Sequence, residues 1–170
     1  MELEYGSSEC IPLDQQVVHL LKAHQMTLTT AESCTGGLLA GTLVNVSGAS
    51  DVFNEGYITY ANASKQKILG VKASTLEQHG AVSEQCAREM ALGAVRAADA
   101  TASLVTTGIA GPGGGTEEKP VGLVYIGCCI RDHVWVERYQ MKGDRQTIRN
   151  QSVCQALKMF IRHMSVYDEK

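Results

Sequence analysis

No run of eighteen apolar residues occurs, and the first ten residues, MELEYGSSEC, are acidic and polar where a secretory leader needs a basic start and an apolar stretch. The expectation is a cytoplasmic protein with no membrane partner. No Lys/Arg cluster is longer than two, and fifteen basic against eighteen acidic residues leave a formal charge of -3. A nucleic-acid partner is therefore not expected. The six cysteines form no C-x-x-C pair, and none stands near two histidines at metal-ligand spacing. Neither a zinc site nor a disulfide framework has support, and the thiols read as small core residues, with no metal or cofactor expected. The phosphate loop G-x-x-x-x-G-K-[ST] is also missing, which disfavours an ATP-driven phosphotransferase.

What is present is an ordinary globular composition. The chain has 170 residues, 44% apolar and 19% charged, with a mean hydropathy of -0.08. A chain of this length buries roughly 70% of its unfolded surface, so a full core is available without staples. Residues 1 to 10 read as a flexible tail and 11 to 165 as a single domain.

Val17, Leu20, Leu21 and His24 recur at helical spacing after Pro12, and the β-branched Thr27 to Thr30 reads as a short strand. AESCTGG (31 to 37) breaks that strand before LLAGTLVNV resumes a helical pattern, so Ser33 lies in a strand-to-helix turn. Residues 52 to 61 read as a strand, with Asn62 as N-cap of a helix that stops at Gly70 and carries Lys65 in its first turn. Ser83 caps a second helix ending near Asp99, Ala102 to Ile109 is a buried strand, and an antiparallel pair turns at Arg131-Asp132. Asp144 caps a last helix with Ile148, Val153, Leu157 and Phe160 on one face. Strands separated by helices, with a closing β-β pair, predict an α/β fold around a mixed sheet covered on both faces.

Three segments look unlike plain structure. In AESCTGG, Gly36 and Gly37 allow a helix to start with free N–H groups that would accept an oxyanion or a phosphate. A capped tight turn is the alternative. A serine hydroxyl needs a base, and a lysine acts as one only where desolvation or a nearby cation lowers its pKa. If Lys65 is buried behind Tyr60, a Ser–Lys pair with Ser50 becomes possible; a solvated surface lysine is the ordinary outcome. Residues 111 to 115 hold four glycines and Pro112, which suits either an anion-binding nest or a mobile connection. Arg145 is a candidate phosphate clamp, and Cys34 an alternative nucleophile at a helix start.

Taken together and in order, AESCTGG, GASDVF, YANASKQKILGV, GAVSE, TGIAGPGGGTEEKPVG and GDR resemble the CinA C-terminal domain family over about residues 14 to 163. The resemblance implies a three-layer α/β/α sandwich with a mixed, mostly parallel sheet. It also implies a metal-independent, homo-oligomeric enzyme, a dimer being favoured, that hydrolyses the carboxamide of nicotinamide mononucleotide to nicotinate mononucleotide and ammonia in pyridine-nucleotide recycling. Carried over residue by residue, Ser50 is the expected nucleophile and Lys65 its base, with Tyr60 supporting the lysine and Ser33 at the oxyanion site. Thr35, Gly36, Gly37, Thr107, Gly108, Gly111, Gly114 and Arg145 are the expected substrate contacts, with Arg145 on the phosphate. One departure stands out. The chain reads Ser47-Gly48-Ala49-Ser50 where the family usually has a second serine, so one hydroxyl is missing. A silent nucleotide-binding protein and an amidase for another small carboxamide, using Cys34, are the alternatives.

Overall fold

The computed structural model describes residues 11–167, with side chains described through residue 165; the expected N-terminal tail lies outside the described residues. The chain runs α1 (Leu13–Ala23), β1 (Leu28–Glu32), α2 (Leu38–Val44), a 3-10 turn (Ala49–Asp51), β2 (Phe53–Ile58), α3 (Asn62–Leu69), α4 (Ala73–His79), α5 (Glu84–Ala98), β3 (Ala102–Gly108), β4 (Leu123–Ile130), β5 (His133–Gln140) and α6 (Arg145–Tyr167).

The five strands lie in the order β2-β1-β3-β4-β5. β1 pairs in parallel with β2 and β3, whereas β3–β4 and β4–β5 are antiparallel. The sheet is mixed as expected, and β4 alone runs against the others. All five residues of β1 are buried, as a central parallel strand covered on both faces requires, while β2 at the edge leaves Asn54 and Glu55 exposed.

Two apolar layers flank the sheet. On one face Val17, Leu21, Leu39, Leu43 and Phe160 from α1, α2 and α6 pack on Leu104 and Ile126. On the other, Leu69, Leu76 and Met90 from α3, α4 and α5 pack on Val105. Strand alternation sends Cys128 to the first layer and Cys129 to the second, so both thiols serve as core side chains.

Local signals explain most boundaries. The Ser83 hydroxyl accepts the Cys86 amide at 3.2 Å, and the Asp144 carboxylate accepts the Thr147 amide at 2.7 Å, so both expected caps form. Asn62 does not cap. α3 starts one residue earlier, with Ala61 as N-cap and its carbonyl taking the Lys65 amide at 3.2 Å. β1 extends past the expected Thr30 to Glu32, whose buried charge finds partners described below. Residues 73 to 79, between the helices expected at 62 to 70 and from Ser83, form α4. α5 comes so near the end of α3 that a Cβ on Gly93 would lie 1.9 Å from the Leu69 carbonyl oxygen, so only glycine fits. Among the described residues no helix, the 23-residue α6 included, is long and apolar enough to cross a membrane.

Candidate active site

The C-terminal ends of β1, β2 and β3 gather at one edge of the sheet, where sites in open α/β folds form. Ser33 directly follows β1, and its amide donates to the Thr106 carbonyl of β3 at 2.9 Å. The turn to α2 passes through Gly36 and Gly37 at φ +59° and +96°, backbone that a side chain would strain.

Glu32, 0% exposed, folds its carboxylate under this turn. Its Oε2 accepts the Thr35 hydroxyl at 2.6 Å and the Gly37 and Leu39 amides at 3.0 Å, and its Oε1 accepts the Ala40 amide at 2.8 Å. The Gly36 amide reaches the Ser33 carbonyl at 3.2 Å. The expectation that Gly36 and Gly37 offer free N–H groups to a substrate anion is therefore corrected. The chain's own carboxylate fills the start of α2, at no cost of immobilising a ligand. In the same turn, the amides of Cys34 and Thr35 reach no acceptor on another residue among the described ones.

Lys65 is 1% exposed although it sits in the first turn of a helix. Its Nζ lies 2.7 Å from the Thr59 carbonyl, 3.4 Å from the Tyr60 carbonyl and 3.1 Å from the Ser33 hydroxyl. Burial lowers its pKa from the ordinary 10.5, because the charged form loses hydration. Among the described residues no carboxylate forms an ion pair with it. A neutral amine has two N–H groups and one lone pair, which this set of two carbonyls and one hydroxyl satisfies.

The expected pairing of Lys65 with Ser50 does not form. Ser50 is exposed on the 3-10 turn that precedes β2, whereas Lys65 follows β2. A strand of this length spans roughly 20 Å, so the two stand at opposite ends of the sheet. The serine brought to Lys65 is Ser33.

A pocket of about 210 Å³ opens over this pair, walled by Ser33, Cys34, Tyr60, Lys65, Thr107, Gly108 and Arg145 among others. Tyr60 stands at its rim, 61% exposed. It supports Lys65 through its backbone carbonyl, while its phenol accepts from Arg145 Nη2 at 3.2 Å. Arg145 Nη1 also donates to the Gly111 carbonyl at 2.8 Å, and the Thr107 hydroxyl donates to the Ala81 carbonyl at 2.8 Å. Thr35 is buried against Glu32 and Thr106 and is not part of the wall, nor is Gly114, which lies on the exposed glycine loop. Cys34 borders the pocket, yet burial pushes its thiol up to about 11, which disfavours a nucleophilic thiolate. A wider groove of about 330 Å³ among α1, α2 and α6, lined by Leu13, Leu38 and Val153, holds no paired nucleophile and base.

Two residues with structural work at the site carried no assignment from the sequence. Glu32 stood inside AESCTGG, where an acid ending an otherwise uncharged strand was the available signal. Arg149, whose Nη2 donates to the Thr35 carbonyl at 2.7 Å, lies one helical turn after Arg145.

Fold and site together define a three-layer α/β/α domain in which a buried lysine meets a half-buried serine at the C-terminal edge of its parallel strands. The CinA C-terminal domain matches residues 11–164, and the chain belongs to that family. It is 51% identical over 164 residues, 96% of this chain, to a Clostridium perfringens protein described as competence-damage inducible, and 54% identical over 79% of this chain to one from Clostridium acetobutylicum. The chain spans 40% and 33% of the length of these two relatives. Among solved structures, the competence/damage inducible protein CihA from Agrobacterium tumefaciens aligns with a TM-score of 0.86 at 41% identity, covering 88% of this chain and 92% of its own. A CinA superfamily protein from Klebsiella pneumoniae aligns with a TM-score of 0.87 at 34% identity, covering 90% and 96%.

Proposed function

We propose that the protein is an amidohydrolase that converts nicotinamide mononucleotide to nicotinate mononucleotide and ammonia, with Ser33 as nucleophile and Lys65 as its base. The observation that carries this reading is the buried Lys65 amine, 3.1 Å from the Ser33 hydroxyl and held by two carbonyls. Membership in the CinA family directs the choice of substrate.

In this reading neutral Lys65 takes the Ser33 proton as Oγ attacks the carboxamide carbon. The Cys34 amide, next to the nucleophile and on a residue of the pocket wall, receives the developing oxyanion. Collapse of the tetrahedral adduct breaks the C–N bond, and the proton on Lys65 passes to the leaving nitrogen, which departs as ammonia. Water, deprotonated by the same amine, then cleaves the Ser33 ester and releases the carboxylate. Arg145 at the other side of the pocket holds the substrate phosphate, exchanging its bond to Gly111 or Tyr60 for one to phosphate oxygen.

The test is ammonia release from nicotinamide mononucleotide by the purified protein in EDTA, beside folded Ser33→Ala and Lys65→Ala proteins. Activity in the parent and a loss of ~10³-fold or more in each variant is the expected result. A Ser33→Ala protein with full activity removes the proposed nucleophile.

A further inference from the structure

Glu32 touches no wall of the pocket, yet it is the most heavily bonded side chain beside it. A fold that needed only to cap α2 would place Ser, Thr, Asp or Asn at the N-cap. Here the N-cap is Gly37, and the cap arrives from the end of β1 through the interior of the turn. Among the described residues no ion pair involves Glu32, so the carboxylate is stabilised by directed donors alone.

Those donors lie at positions 35, 37, 39 and 40, and a single carboxylate thus closes the whole turn on itself. The Thr35 hydroxyl is 2.7 Å from that of Thr106, whose carbonyl already holds the Ser33 amide. Ser33 and Cys34 are consequently strung between two fixed points, one on β3 and one on Glu32. Resting on the reading of Ser33 as nucleophile, we propose that Glu32 is a positioning residue: its carboxylate locks residues 33 to 40 so that the Ser33 hydroxyl stays on Lys65 and the Cys34 amide stays at the pocket wall.

A carboxamide in its place has one oxygen and one NH₂ group. With the oxygen kept on Thr35, Gly37 and Leu39, the NH₂ group faces the Ala40 amide, donor against donor. The turn loosens while the fold persists, because most of both apolar layers comes from other segments.

The experiment compares the parent with Glu32→Gln and with Thr35→Val, which removes only the hydroxyl link. Three quantities are read on folded protein: hydrogen exchange over residues 37–43 against α5, the rate of Ser33 modification by phenylmethanesulfonyl fluoride followed by intact mass, and kcat and KM for nicotinamide mononucleotide. Glu32→Gln is expected to speed exchange over 37–43 with α5 unchanged, and to slow both Ser33 modification and kcat by ~10²-fold, with KM within about threefold. Thr35→Val is expected to do the same by about five- to tenfold, and it decides the matter if Glu32→Gln does not fold. A merely structural role reduces the folded fraction and leaves the modification rate per folded molecule unchanged, which overturns the proposal. A parent that is modified at Ser33 but releases no ammonia removes the amidase reading, and the modification rates still judge Glu32. A parent inert to both reagents removes the nucleophile, and this proposal falls with it.

Discussion

Lys65 concentrates the chemistry of the molecule in one buried amine. Its pKa is lowered by burial, so between that lowered value and 10.5 the unfolded chain binds the proton more readily than the folded one. The parent therefore loses stability as pH falls through this window, and a side chain that cannot charge escapes the loss. Lys65→Met leaves the Thr59 and Tyr60 carbonyls without their donor, a cost of about 1–3 kcal/mol at high pH. Relative to the parent it gains as pH falls from 10.5. Denaturant unfolding of both proteins at several pH values measures the difference, and a constant or opposite trend removes the lowered pKa. If Lys65 acts as the proposed base, kcat/KM in the parent is expected to rise with pH along a limb that titrates below the ordinary lysine value, because only the neutral amine accepts the Ser33 proton.

At the scale of elements, α5 and α3 are tied at a point where backbone meets backbone. Gly→Ala inside a helix ordinarily stabilises by about 1 kcal/mol. At Gly93 the added carbon would lie 1.9 Å from the Leu69 carbonyl, so the helices must separate. Gly93→Ala is expected to destabilise by roughly 1–3 kcal/mol, a fall of several degrees in Tm for a chain of this size. Since α3 carries Lys65, kcat is expected to fall as well; a raised Tm in a melting scan would contradict the close approach. Elements with a local chemical signature were legible in the sequence: the caps at Ser83 and Asp144, the turn at Arg131, the stripe of α6. α4 was not, because seven residues with two buried positions, Thr75 and Leu76, leave no period to read. The start of α3 was misplaced by one residue because Asn62 has the chemistry of a cap, while the backbone turns at Ala61.

On the scale of the whole molecule, the direction of the sheet decides which residues meet. AESCTGG, YANASK and TGIAGP were each legible as site segments, and the pocket draws on all of them. Which serine serves Lys65 was not legible, because the answer lies in a parallel register. Glu32 pairs with Ile58, and the Thr59 amide donates to the Glu32 carbonyl at 2.9 Å, so the ends of β1 and β2 place Ser33 beside Lys65 across 32 residues of sequence. Ser50, closer along the chain, enters β2 at the other end, where Phe53 pairs with Leu28 and the Val52 carbonyl takes the Leu28 amide. The two serines therefore separate under mutation. Ser50→Ala removes an exposed hydroxyl far from the pocket and is expected to keep kcat/KM within about twofold and stability within ~0.5 kcal/mol. Ser33→Ala is expected to leave the fold intact and remove ~10³-fold or more of the activity. The reverse pattern in ammonia release would mean that another copy or another arrangement brings Ser50 to the base, and the strand order of this sheet would no longer account for the chemistry.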